Sequence, residues 1–106
     1  MKRPPKELNI LGQMVAVQQL SAKRMPRALG HWYQAKRRIH MRSGMLPLDT
    51  VDTLLHEISH AILSHQARPY GKEVEENYVN AIAAGLAQVL RDNPELRRWI
   101  EESFSS

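Results

Sequence analysis

The segment 56–60 reads His-Glu-Ile-Ser-His and lies inside the run 49–62, DTVDTLLHEISHAI. Residues four apart share one face of an α-helix, so His56 and His60 can direct both imidazoles at one metal ion. Zn²⁺ is the ion that such ligands usually bind. Glu57 lies about 100° further round the helix. From there its carboxylate could act as a general base on a water without binding the metal itself.

An ordinary amphipathic helix with a polar face is the alternative explanation for this segment. A turn of about 100° per residue places five apolar residues within about 60° of Ile58. We expect Ile58 and these five residues to form the face that packs on the core: Val51, Leu54, Leu55, Ala61 and Ile62. His56 and His60 share the opposite face, which we expect to be partly covered. That expectation favours a metal site over a solvated pair of histidines.

A catalytic zinc site needs a third protein ligand and an open fourth position. The chain has no cysteine, so the third ligand must be His, Glu or Asp. His65 would point roughly 140° away from His60 on a continuing helix and is interpreted as a surface residue. Glu75 and Glu76 lie at the start of a second predicted helix, both near its apolar face. Asn80 follows Glu76 by one turn and could accept a hydrogen bond from a ligating imidazole, which favours Glu76 and leaves Glu75 as the alternative.

These two helices resemble a known arrangement. The pattern resembles that of the gluzincins, and most of all that of the ImmA/IrrE-type metallopeptidases. It consists of HEISH at 56–60, fifteen intervening residues and ENYVNAIAA at 76–84. The chain is also similar to small zinc-metallopeptidase-like proteins of phages and prophages, in its LHEISHA run and in RDNP at 91–94. The resemblance covers residues 46–94. It implies zinc on His56, His60 and Glu76, with Glu57 as the catalytic base.

Length and composition predict one domain spanning residues 1–106 with one modest core. The lack of cysteine is typical of a reducing cytoplasm, and no apolar run is long enough to span a membrane. Residues 1–42 contain ten Lys and Arg residues and one acidic residue, which gives a net charge of +9. Residues 43–106 contain five Lys and Arg residues and ten acidic residues, which gives a net charge of −5. A basic half suits a nucleic-acid or acidic-protein partner, but a solvated basic sheet face explains it as well.

The predicted fold class is α+β, with a small antiparallel sheet of about three strands followed by three helices. Residues 8–20 are interpreted as one strand with a bulge at Gly12, and residues 29–35 and 38–41 as a hairpin. Asp49 or Thr50 is expected to cap the metal-binding helix, which would end near Ser64. Asn93 and Pro94 are typical of the start of a third helix.

The leading functional hypothesis is zinc-dependent hydrolysis of peptide bonds in a peptide or protein substrate. Tyr70 or Tyr78 could donate to the oxyanion, and the resemblance implies that a sheet edge, expected near 38–41, holds the substrate. One alternative is a catalytically inactive, zinc-stabilised binding or regulatory module. The others are a regulator of a repressor-type protein and a protein that associates with DNA through the basic half. Direct binding of nucleic acid stays open.

Overall fold

A computed structural model of the chain describes residues 3–66 and 74–105; within helices, the side chains at 65, 66, 74–77, 79 and 80 are excluded from the description. Four strands come first: β1 (Glu7–Ile10), β2 (Gln13–Leu20), β3 (Gly30–Tyr33) and β4 (Arg38–Arg42). Three helices follow: α1 (Pro47–Gln66), α2 (Val74–Asp92) and α3 (Pro94–Phe104). The α+β class and the order of sheet before helices are as predicted. The strand count is four, where about three were expected.

A tight turn divides the predicted first strand into β1 and β2. Leu11 and Gly12 have φ values of 53° and 88°, and the register pairs Ile10 with Gln13. Positive φ at both central residues is the geometry of a two-residue hairpin turn, which matches the twist of the flanking strands. Asn9 supports this turn, because its Oδ1 accepts a hydrogen bond of 2.8 Å from the Gly12 N–H. Gly12 is therefore a turn residue, and the predicted bulge is wrong.

The sheet is mixed, with the strand order β1-β2-β4-β3. The prediction of a purely antiparallel sheet is therefore wrong, because the chain crosses from β2 past β4 to the edge before it returns as β4. β1–β2 and β3–β4 are antiparallel pairs, whereas β2 and β4 are parallel. Because Ile39 and Met41 of β4 are fully buried, β4 fits inside the sheet, and the more polar β3 takes the edge. The expectation that residues 38–41 form a sheet edge is therefore wrong; β3 is the edge strand on that side.

The helices cover one face of the sheet. The predicted apolar stripe of α1 is confirmed: Val51, Leu54, Ile58, Ala61 and Ile62 are buried, and Leu55 is half-buried. These residues pack with buried residues of three strands and the two other helices, which are Leu8, Ile10, Val15, Val17, Ile39, Met41, Val89, Leu96 and Trp99. The core therefore fixes α1 against the sheet through the face opposite its two histidines.

Both predicted helix caps differ in detail from the structure. α1 begins at Pro47, two residues before the predicted cap, since proline suits the first turn, where its missing N–H needs no partner. Thr50 donates its hydroxyl back to Leu46 O at 3.0 Å and does not cap. Asn93 does precede α3, but its side chain makes no capping hydrogen bond.

Asn93 instead joins β1 to the end of α2. Its Oδ1 accepts from the Asn9 N–H at 2.8 Å, and its Nδ2 donates to Asn9 O at 2.8 Å and Val89 O at 2.7 Å. Asn93 is only 9% exposed; its bond to Val89 O is buried, and its two bonds to Asn9 are partly buried. No helix of the described residues is long and apolar enough to cross a membrane.

Candidate metal centre

The two motif histidines converge at the surface of α1. Nε2 of His56 and Nε2 of His60 are 3.2 Å apart, and both side chains are exposed. Two nitrogens bound to one tetrahedral zinc at about 2.0–2.1 Å would lie about 3.3 Å apart. The separation of the two nitrogens therefore matches that of two adjacent corners of a tetrahedral zinc site.

Glu57 points to a different place from the histidines. Its side chain is 6% exposed and lies against Gly30, the first residue of β3. A Cβ at position 30 would come within 2.9 Å of Glu57 Oε2 and 2.7 Å of Thr53 Cγ2. Only glycine permits this approach between strand and helix without a shift of the neighbours. Gly30 thereby leaves room for the Glu57 carboxylate between β3 and α1.

A cavity of about 280 Å³ opens between the start of β3 and α1. His56 and Glu57 line it together with Leu29, Gly30, Asp52 and Thr53. Within the described residues the Glu57 carboxylate has no hydrogen bond or ion pair. A general base must keep its lone pairs free for the proton it accepts, so this placement suits the predicted role.

β3 presents its free main-chain edge beside this cavity. The Arg42 N–H donates to Leu29 O at 2.8 Å, and hydrogen-bonded pairs alternate along an antiparallel ladder. The register pairs Gly30 with Met41 and Trp32 with Ile39, so these two β3 residues occupy the positions that do not bond to β4. Their N–H and C=O groups therefore point to the open edge.

Contacts on either flank fix α1. Trp32 Nε1 donates to Ser64 Oγ at 2.9 Å, which ties β3 to the last turns of α1. Ile62 packs against Gly85 of α2, where a Cβ would collide with the isoleucine side chain. The segment 56–60 of α1 thus lies between an edge strand and a second helix, each held at close range.

The predicted third ligand falls where side chains are not described. Glu75, Glu76 and Asn80 lie in α2, but nothing about their side chains is described; Tyr70 lies wholly outside the described residues. Tyr78 is half-buried on α2. Among the described side chains, no group of three or more His, Asp or Glu is placed to hold a metal. Zinc, the choice between Glu75 and Glu76, and the tyrosine roles stay predictions.

Sequence reasoning missed Gly30 and the Trp32–Ser64 bond. A glycine within a strand weakens it unless another group approaches closely. A glycine inside the predicted strand, two residues before a tryptophan, could therefore have indicated that another group approaches closely at position 30. Nothing in the sequence pairs Trp32 with Ser64, since the bond joins residues far apart in the chain.

The sequence matches no family model, and no curated protein or solved structure matches it.

Proposed function

We propose that this protein is a zinc-dependent peptidase that hydrolyses peptide bonds of an extended substrate. The observation that carries the proposal is the convergence of the His56 and His60 Nε2 atoms at 3.2 Å, on the same helix as the shielded carboxylate of Glu57, which has no partner among the described residues. A structural zinc site would have no use for such a carboxylate.

His56 and His60 would hold the ion, with a carboxylate of α2, Glu76 or Glu75, as the third ligand. When bound, zinc supplies a Lewis acid that polarises the scissile carbonyl and lowers the pKa of water. Glu57 takes the proton from the attacking water and passes it to the leaving amine. The low exposure of Glu57 keeps bulk water from competing for its oxygens.

The open edge of β3 supplies a way to hold the substrate. Gly30 and Trp32 direct main-chain donors and acceptors outward, so an extended peptide could add as a further strand. Main-chain hydrogen bonds form with a peptide of any sequence. This mode of binding suits a small protein that has little surface for deep specificity pockets. Leu29 is 49% exposed and lines the cavity, so it offers an apolar contact to one substrate side chain.

The proposal includes a cytoplasmic location, because a chain without cysteine suits a reducing compartment. A repressor-type or DNA-associated protein is a candidate substrate.

The test is hydrolysis of an unfolded protein by zinc-loaded enzyme, comparing wild type with Glu57→Gln and Glu101→Gln. Glu57→Gln keeps the shape of the side chain and removes the base. We expect it to lower kcat by about 10²–10⁴-fold while zinc content is unchanged. Glu101→Gln removes the same charge from an exposed position on α3 and should have no effect. If Glu57→Gln cleaves as fast as wild type, the proposal fails. If zinc-loaded wild type cleaves nothing, the inactive zinc-stabilised module replaces it.

A further inference from the structure

One face of the sheet is open except at one end, where the loop between β2 and β3 lies against it. There the Arg42 guanidinium donates to Met25 O at 2.7 and 3.1 Å, and Met25 is buried. Successive side chains along a strand point to opposite faces of the sheet. Because Val17, Ile39 and Met41 are buried under the helices, the residues next to them along each strand point away from the helices. On the β2, β4 and β3 strands this outer set comprises Met14, Ala16, Gln18, Leu20, His31, Tyr33, Arg38, His40 and Arg42, of which Leu20 is buried. No described helix packs on it. This outer face lies on the opposite side of the sheet from the candidate metal centre.

Three rings form a cluster on this outer face. The centroids of His31 and Tyr33 are 4.3 Å apart, and those of Tyr33 and His40 are 4.8 Å apart. Tyr33 is 39% exposed, and the rings are tilted or edge-on to one another. Part of the tyrosine surface is thus free to contact a planar ligand. His40 Nε2 is buried and has no hydrogen-bond partner among the described residues.

The cluster lies in a field of positive charge. The pKa of His40 is lowered by burial and then by Arg38, Arg24, His31 and Lys36. Among the described residues, none of the groups that shift this pKa is an acid. Glu7 is the acidic residue of the described strands, and it lies on β1, two strands away in the sheet.

The positive charge extends across β2 to the start of the chain. A cavity of about 460 Å³ is lined by Arg3, Lys6 and Arg38 together with Gln18 and other residues of this region, none of them acidic. Arg38 borders both this cavity and the ring cluster. The outer face therefore presents a cationic path that continues from the rings at the β3 edge to the N-terminal segment.

We propose that this outer face binds single-stranded nucleic acid. Unstacked bases can stack on exposed aromatic rings, while Lys and Arg contact the phosphates. A duplex keeps its bases stacked on one another and cannot use Tyr33 in this way. An acidic protein would use the positive charge but has no planar base for the rings. The combination of rings and cations is therefore what favours a single strand.

The experiment measures binding of a fluorescently labelled, mixed-sequence strand of about 20 nucleotides by anisotropy, alone and annealed to its complement. The full-length protein is used without added zinc. We expect the single strand to bind about tenfold or more tightly than the duplex. Polyglutamate at equal charge should fail to compete. Affinity should fall with salt, with a slope of about −0.7 for each phosphate contacted.

Variants separate stacking from charge. Tyr33→Ala should weaken binding of the single strand about fivefold or more, whereas Tyr33→Phe keeps the ring and the affinity. Arg38→Glu should weaken binding and reduce the salt slope by about 0.7. Arg98→Glu, the same charge change at an exposed position on α3, should alter affinity less than about twofold. Thermal melting of each variant establishes that it is folded.

Three results would overturn the proposal. The first is duplex binding equal to or tighter than single-strand binding. The second is equal loss of affinity in Arg98→Glu and Arg38→Glu, which would mean that net charge alone attracts the strand. The third is full competition by polyglutamate, which would assign the outer face to an acidic protein. None of these results bears on zinc content or peptide hydrolysis.

Discussion

Gly30 leaves the space that the Glu57 side chain occupies: a Cβ at position 30 would lie 2.9 Å from Oε2 and 3.1 Å from Cγ of the glutamate. One residue of an edge strand thus controls where the proposed base sits. This contact joins the sheet to the residue that we propose as the base.

Gly30→Ala should therefore displace Glu57 and Thr53. Inserting a methyl group into such a gap typically costs about 1–3 kcal/mol of stability, and we expect kcat to fall because the base is moved. Zinc content should not change, since the three atoms nearest to the added Cβ belong to Thr53 and Glu57 and not to a histidine. Urea unfolding, zinc analysis and the hydrolysis assay measure the three effects.

Gly44→Ala is a matched control for this prediction. Gly44 has a φ of +81° and open space around its Cβ position, so alanine there strains the backbone by about 1–2 kcal/mol without entering the site. It should lower stability but not kcat. Equal loss of kcat in both variants would mean that Gly30 acts only through stability.

Asn93 should be among the most sensitive polar positions of the core. Asn93→Ala removes three hydrogen bonds and should cost about 3 kcal/mol, at about 1 kcal/mol each. Asn93→Asp at neutral pH should cost at least as much, because an oxygen would face the Asn9 and Val89 carbonyls in place of the amide donor. Asn9→Ala, which removes only the exposed turn bond to Gly12, should cost about 1 kcal/mol. Chemical denaturation gives all three values, and a cost for Asn93→Ala no greater than for Asn9→Ala would contradict this account.

The contact between α2 and α1 at Gly85 should tolerate no added methyl group. Alanine favours a helix over glycine by about 1 kcal/mol, yet Gly85→Ala should destabilise the protein because its Cβ would collide with Ile62. Ile62→Val removes one of the colliding atoms, so the double variant should recover part of the loss. A double-mutant cycle measures this coupling, and an increase in stability for Gly85→Ala alone would show that the helices are not in close contact.

His40 should make stability depend on pH. Burial, and then the nearby cations led by Arg38, lower its pKa below the usual 6.5. The folded state therefore binds fewer protons than the unfolded state, so the contribution is present above pH about 6.5 and is lost as the pH falls through the folded pKa. NMR titration should give a His40 midpoint below 6.5 that moves up in Arg38→Gln. In His40→Gln the loss of Tm below pH about 6.5 should be smaller; a midpoint at or above 6.5 would contradict this prediction.

Local patterns in the sequence predicted what depends on local geometry. The periodicity around Ile58 gave the buried face of α1, and Asn93-Pro94 gave the start of α3, because both depend on neighbours within a few residues. The break between β1 and β2 was missed, since Leu11 adopts a positive φ that leucine rarely takes.

Long-range pairings could not be read in this way. Alternation in β4 predicted one buried face, but not that β2 and β3 would flank it. The approach of Glu57 to Gly30 depends on that strand order, because only an edge strand beside α1 brings the glycine to the motif. The motif itself was predicted, whereas the surface that completes it required the fold.

The most direct test of the central claim is the zinc content of the purified protein, measured for wild type, His60→Ala, Glu76→Ala, Glu75→Ala and Glu57→Gln. The account predicts one zinc per chain in wild type and Glu57→Gln, loss in His60→Ala, and loss in one of the two α2 variants, with Glu76→Ala expected. Wild type that binds no zinc even when the metal is supplied, or His60→Ala that retains it fully, would contradict the proposed site.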